Sequence, residues 1–191
     1  MAHLGAEELA AGLAEIRDAP ADAGTVEMIV RRPAEDEREV LEEARLTLED
    51  GVAGDHWRSR GSHSTPDGSA DPDRQLTVMG ARVVDLLAGG NRDAWPLAGD
   101  QLYVDLDLGV ANLPAGTRLA IGDAVIEVTE PPHTGCAKFS ARFGSAALRF
   151  VNSPDGRALR LRGLNARVVR PGTIRRGDPI RRLRPDLEAR P

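Results

Sequence analysis

The chain has 191 residues and a formal net charge of -5, with aromatic residues at only 3%. That length suffices for one aliphatic-cored domain without disulfide or metal staples. The negative sum, though unevenly distributed, argues against a general nucleic-acid binder, and so few aromatic rings leave stacking platforms for bases nearly absent; the single cysteine, Cys136, excludes an internal disulfide and suits a reducing compartment.

The opening stretch, MAHLGAEELAAGLAEIRDAP, is acidic where a secretory signal needs a basic start and an unbroken apolar run. No run approaches a membrane span, so the expectation is a cytoplasmic, soluble protein with no membrane partner. Leu9, Leu13 and Ile16 fall at i, i+4 and i+7, which predicts one short amphipathic helix. We assign residues 1–22 to a helical appendage able to face a partner, 23–185 to the main domain and 186–191 to a fraying tail.

TVEMIVRRP and EARLTLEDG have the alternation of strands, and GVAGDHW closes the second with glycines. Residues 58–74, rich in Gly, Ser, Pro and Asp, predict a long mobile loop. RQLTVM follows as a strand and ARVVDLLAGG as a helix stopped by glycines. QLYVDLDLGV, with Leu102, Val104, Leu106 and Leu108 alternating with polar residues, predicts a half-buried strand. TRLAIGDAVIEVTE predicts two strands about a Gly122-Asp123 turn, the second ended by Pro131 and Pro132. FSARFGSAALRFVN carries a helical stripe of Phe139, Phe143, Ala147 and Phe150, and NARVVRPG and DPIRRL end the chain as strands. Strands outnumber helices, and the connections are too short for repeated βαβ units. The fold class is therefore mainly β with a few helices, a β-barrel with helical decorations. Arginines crowd residues 157–190, and without aromatic interleaving the expectation is a solvated face rather than an anion site.

PPHTGCAKF, residues 131–139, holds the one cysteine and the one lysine of the chain. Read alone, a single thiol is a small buried apolar residue. Lys138 beside it, and His133 three positions before it, instead suit a thiolate that attacks sulfur or binds a soft metal. A Cys-His hydrolase with His133 or His56 as base is one alternative, though no oxyanion-hole motif accompanies it. Zinc held by His56, His63, His133 and Cys136 is another, on irregular spacings. His3 has no assigned role, and Asp105 and Asp107 are expected to face solvent.

From about Gly24 to about Leu183 the order of segments resembles the MOSC family, the molybdenum cofactor sulfurase C-terminal domain. The resemblance rests on GVAGDHW, DPDRQLTVM, AGDQL and above all LAIGDAVIEVTEPPHTGCAKF. The chain departs from the family pattern in three places. Ser69, Ala70 and Asp71 replace a histidine and two glycines, Asp100 and Gln101 replace Glu and Asn, and Gly135 replaces the proline before the cysteine.

The resemblance implies a twisted β-barrel whose cleft displays Cys136, and an enzyme of one of two kinds acting on a small-molecule substrate. In one, a thiolate ligates molybdenum in a pyranopterin cofactor and the site is a reductase. In the other, the thiolate carries sulfur as a persulfide and the site is a sulfurtransferase. Cys136 is then metal ligand or sulfur carrier, with Lys138 and His133 as its catalytic companions. Arg74, Asp100, Gln101, Gly54, Asp55 and His56 match family positions near the cofactor. A cysteine desulfurase or a redox protein is the implied partner. Pyridoxal phosphate belongs to longer family members with a separate desulfurase domain, and here only Lys138 could form its Schiff base. A non-catalytic binding or adaptor module is the alternative, motivated by the missing histidine and glycines.

Overall fold

The computed structural model describes residues 3–183; the tail assigned to 186–191 lies outside the described residues. Two short helices, α1 (Ala6–Ala11) and α2 (Leu13–Arg17), open the chain where one helix is expected, because Gly12 caps the first and starts the second. Then come β1 (Ala23–Arg31), β2 (Glu39–Leu41), β3 (Glu43–Thr47), β4 (Gly51–Val52) and α3 (Trp57–Arg60). A 3₁₀ turn at Pro72–Arg74 leads into β5 (Leu76–Gly80) and α4 (Ala81–Leu87), and a second 3₁₀ segment, Arg92–Ala98, into β6 (Leu102–Asp105). β7 (Arg118–Ile121), β8 (Ala124–Pro132), α5 (Ala137–Asn152), α6 (Pro154–Ala158), β9 (Leu164–Arg170), β10 (Gly172–Arg175) and β11 (Pro179–Arg182) complete it.

Seven strands close into a barrel in the order β11-β7-β8-β9-β5-β6-β1, with β1 returning to β11 and β2 extending β1 outside the ring. Every neighbouring pair in the ring is antiparallel except β5 and β6, which run parallel and are joined through α4 as a single crossover. β3, β4 and β10 form a separate small sheet.

Two cores result. The barrel interior is aliphatic among the described residues, with Val26, Ile29, Leu76, Val78, Leu102, Val104 and Ile126 in contact. The outer face carries a second core, where Met28, Val30, Met79 and Tyr103 meet the helices through Val84, Trp95, Phe139 and Phe143. The few aromatic rings therefore gather outside the barrel, as in the Trp95–Tyr103 and Phe139–Phe143 pairs with centroids 6.0 and 5.1 Å apart.

This second core corrects several expectations. Residues 102–108 are not one half-buried strand. β6 ends at Asp105, and Leu102, Tyr103 and Val104 are buried on both faces because helices cover the outside. The N-terminal helices turn Leu9 and Ile16 into the same core, so their apolar face is already covered. β8 runs through both prolines, pairing Pro132 with Leu164 after a register shift. Residues 58–74 carry α3 and the 3₁₀ turn, and Ser64 donates to Asp71 at 2.7 Å across the segment between them. His3 has a place after all. It sits over the Gly144 kink of α5, with its Nε2 3.2 Å from the Arg142 carbonyl.

Candidate functional site

The strand register assembles the site. Leu102 pairs with both Ile29 and Val78, and Leu164 with both Val78 and Pro132. Residues just beyond those positions, Arg32, Asp100, Arg162 and His133, therefore emerge together at one end of the barrel. Arg32, Arg162 and His133 floor a cleft of about 790 Å³ with Asp100 buried beneath them, and its wall also includes His56, Arg60, Arg74, Cys136, Lys138 and Arg142.

Asp55 anchors the floor. Its carboxylate is fully buried and accepts from Arg32 Nε, Arg32 Nη2 and Trp57 N at 2.9 Å and from Arg32 N at 3.0 Å. The third arm of the guanidinium donates to the Gly99 carbonyl at 2.9 Å. Such a fork leaves no lone pair for a ligand, so Asp55, matched to the cofactor, instead holds Arg32 in place. Gly54 supplies the turn before it, with φ +81. His56 follows with Nδ1 2.8 Å from the Arg32 carbonyl. A carbonyl only accepts, so Nδ1 carries the proton and Nε2 is left toward the cleft.

Gln101 is likewise structural. It is fully buried, its Oε1 accepting from Thr77 N and Oγ1 at 2.8 and 2.6 Å and its Nε2 donating to the Gln75 carbonyl at 3.2 Å, which clamps the parallel β5–β6 pair. Asp100 beside it is also fully buried, and its Oδ2 takes Arg162 Nη1 at 2.6 Å. Burial raises its carboxyl above the ordinary value against the pull of Arg162. Arg162 in turn donates to the Ala98 carbonyl at 2.8 Å and stacks over the Phe139 ring at 4.9 Å.

His133 presents Nδ1 to Asp100 Oδ1 at 3.4 Å. Burial, reinforced by the charges of Arg162, Arg32 and Arg74, pushes its imidazolium well below the usual histidine range, so the ring is neutral at pH 7. Cys136, the residue preceding α5, is exposed and free, not a buried apolar residue. Lys138 does not turn to the thiol. Its Nζ meets Glu35 at 2.6 Å and Asp36 at 3.6 Å, and the Glu35 hydrogen bond raises the ammonium above its ordinary value. Arg142 adds a 2.8 Å contact to Asp36, so the loop between β1 and β2 is strapped to α5 across the cleft wall. Arg74 lies 3.3 Å from Asp71, on the rim.

The cleft is cationic inside an acidic protein. Arg32, Arg38, Arg60, Arg74, Lys138, Arg142 and Arg162 line it, against the pairing carboxylates Glu35, Asp36, Asp55, Asp71 and Asp100, an excess of two positive charges. Desolvation and the Arg32 charge lower Arg60, which has no ion-pair partner among the described residues. Sequence reasoning missed Arg32, Arg60 and Arg162. The arginine-rich end reads as a solvated face from sequence, and Arg162 is its buried exception at 6% exposure. Its neighbour pattern, LRLRG, places it just before a strand, which is the signal that a register argument would have used. The four-ligand zinc site does not assemble: among the described residues no three His, Cys, Asp or Glu side chains are grouped to hold a metal ion. Asp105 pairs with Arg82 at 2.7 Å, and Asp107 accepts from Gly109 N at 2.8 Å.

A model of the MOSC domain matches residues 71–181, more than half of the chain and all of β5 to β10. The chain belongs to the MOSC family. Among solved structures, the MOSC barrel is similar to the YuaD protein of Bacillus subtilis, at TM-score 0.62 and 17% identity over 83% of this chain and 94% of that one. YiiM from Escherichia coli aligns at 0.54 and 19%, covering 84% and 70%, and YiiM from Geobacillus stearothermophilus at 0.51 and 13%, covering 87% and 75%. Identities this low support the shared fold alone. No curated protein matches the sequence significantly. No helix among the described residues of this MOSC protein is long and apolar enough to cross a membrane.

Proposed function

We propose that this MOSC protein is a molybdenum-cofactor-dependent reductase of a small molecule, with Cys136 as the protein ligand to the metal. The observation that supports the reading is a free thiol on the same cleft wall as guanidinium groups with unmet donors. The Nε atoms of Arg38 and Arg162 are buried and have no hydrogen-bond partner among the described residues, and that of Arg74 has only a 3.3 Å ion-pair contact with Asp71. Unmet buried donors are costly unless a ligand meets them, and guanidinium suits the phosphate of a pyranopterin. A soft thiolate suits molybdenum already held by dithiolene sulfurs. The residues present therefore fit the group. Bound there, the cofactor would supply two-electron redox chemistry at the metal.

The chain's own residues do the rest. Asp55 fixes Arg32, and Asp100 fixes Arg162, so two guanidinium groups are preorganised and need no reordering when an anion enters. The strap of Glu35 and Asp36 keeps Lys138 and Arg142 on the same cleft wall as the thiol while partly offsetting their charge. Molybdenum analysis of protein made with ample cofactor tests the ligand role. Wild type should carry the metal and Cys136→Ser should lose most of it; equal content in both would overturn the assignment.

The exposure of Cys136 favours one second reading, a persulfide carrier loaded by a cysteine desulfurase, since a partner enzyme can reach the thiol directly. Persulfide labelling after incubation with a desulfurase and cysteine tests it, and an unlabelled Cys136 would remove it. Lys138, held by two carboxylates, is poorly disposed to form a Schiff base, so pyridoxal phosphate has no part in the proposal. A binding module without catalysis remains the outcome if neither molybdenum nor sulfane sulfur is found on Cys136.

A further inference from the structure

Two buried polar atoms beneath the cleft face each other without a hydrogen bond among the described residues. Asp100 Oδ1 and His133 Nδ1 are 3.4 Å apart, longer than a formed hydrogen bond, and neither has a hydrogen-bond partner among the described residues. Burial raises the carboxyl, but its second oxygen is held by Arg162 Nη1 at 2.6 Å, a charge-assisted bond that opposes that rise and favours the ionised form. A lone pair on Nδ1 would then confront a carboxylate lone pair in a low-dielectric site. A proton on Nδ1 replaces that repulsion with attraction, and a small closing of the gap then gives each atom its partner.

The Nδ1–H tautomer leaves the lone pair on Nε2. That atom is not among the buried orphans, and His133 lines both the Cys136 cleft and a neighbouring cavity of about 470 Å³ that Asn165 also borders. The other charged groups bearing on the ring, Arg32, Arg74 and Arg162, are all cations, and they keep the imidazole neutral. A wall rich in guanidinium donors thus contains a fixed neutral acceptor at its floor, deeper than the rim groups His56, Glu35 and Asp36. We infer that Asp100 is a positioning residue that locks His133 with Nε2 as hydrogen-bond acceptor, so that the cleft selects anionic ligands that also carry an O–H or N–H donor. The inference rests on reading this cleft as the ligand site, and it deepens that reading by naming what a substrate must offer.

Imidazole nitrogen NMR of the full chain without cofactor tests it, with the His133 signals assigned by their absence in His133→Gln. One protonated Nδ1 and one unprotonated Nε2 should persist from pH 8 to pH 5, and Asp100→Asn should give a mixture of tautomers. A wild-type ring protonated on Nε2, or one that titrates near the ordinary histidine value, overturns the lock whether or not the Asp100 variant folds. Titration with 2-hydroxyethyl phosphate and ethyl phosphate then reads selectivity. The hydroxylated probe should bind at least threefold more tightly, shift the Nε2 resonance, and lose its advantage in His133→Phe. Equal affinity in wild type overturns the selectivity. Neither measurement uses molybdenum, so a failed lock and a failed metal assignment are distinguishable.

Discussion

Replacing Asp55 by alanine should unfold the site from beneath. The side chain is fully buried and accepts from three Arg32 donors and from Trp57 N, all within 3.0 Å. Its removal strands the Arg32 guanidinium, 10% exposed, with only the Gly99 carbonyl as a partner, and orphans two backbone N–H groups. Breaking a buried pair from one side costs about 3–5 kcal/mol. With a urea slope of about 2 kcal/mol/M, the unfolding midpoint should fall by about 2 M with the slope unchanged. Asp55→Asn, which keeps an acceptor but loses the charge, should fall between the two. Equilibrium urea unfolding followed by tryptophan fluorescence measures all three, since Trp57 reports directly. A loss below about 1 kcal/mol for Asp55→Ala would refute the assignment of Asp55 as the anchor of the cleft floor.

His133 makes stability depend on pH. Its folded value lies well below the unfolded 6.5, so only the unfolded chain takes up this proton as pH falls below 6.5. The stabilisation is present above that pH and is lost below it, by up to about 1.4 kcal/mol per pH unit. His133→Gln should flatten the slope between pH 6.5 and 5, and an unaltered slope in urea titrations would contradict the burial argument. Gly144→Ala should cost about 1–3 kcal/mol in thermal or urea unfolding, because φ +92 and ψ 162 are open only to glycine and a Cβ would sit 2.9 Å from His3. The cationic cleft should also steer reagents. Relative to a free thiol, Cys136 should prefer iodoacetate over iodoacetamide several-fold at low salt, and the preference should fade near 0.5 M salt on the order of screening lengths below 10 Å. No preference, or one indifferent to salt, would argue against a net positive wall.

Much of the barrel was legible in the sequence because its strands write their own ends. The Gly122-Asp123 turn and the alternation before and after it predict β7 and β8. What escaped was whatever depended on both faces of a strand. Tyr103 and Met79 look like interruptions of an alternating pattern until helices are known to cover the outside of the barrel. The bulge between Val26 and Met28 breaks the parity of β1, so that Ile29 faces the interior and Met28 and Val30 face the helices.

The candidate site was legible at Cys136, where a lone thiol in a strand exit is a local feature. Asp55 and Gln101 were identified as positions but not in role, because the Arg32 fork spans 23 residues and the Thr77 clamp 24. Lys138 shows the same limit. Its neighbour along the chain is the thiol, yet its partners are Glu35 and Asp36, about a hundred residues away and reached only through the fold. Arg162 is hidden by its company, the one buried arginine among the exposed and half-buried ones of residues 157–182.

The most direct test of the account is the ligand shell of the metal. X-ray absorption at the molybdenum edge of the loaded protein should give three sulfur neighbours in wild type, two from the dithiolene and one from Cys136. Any metal retained by Cys136→Ser should have one sulfur fewer. An identical sulfur count in the two proteins would contradict the proposal that this thiolate binds molybdenum.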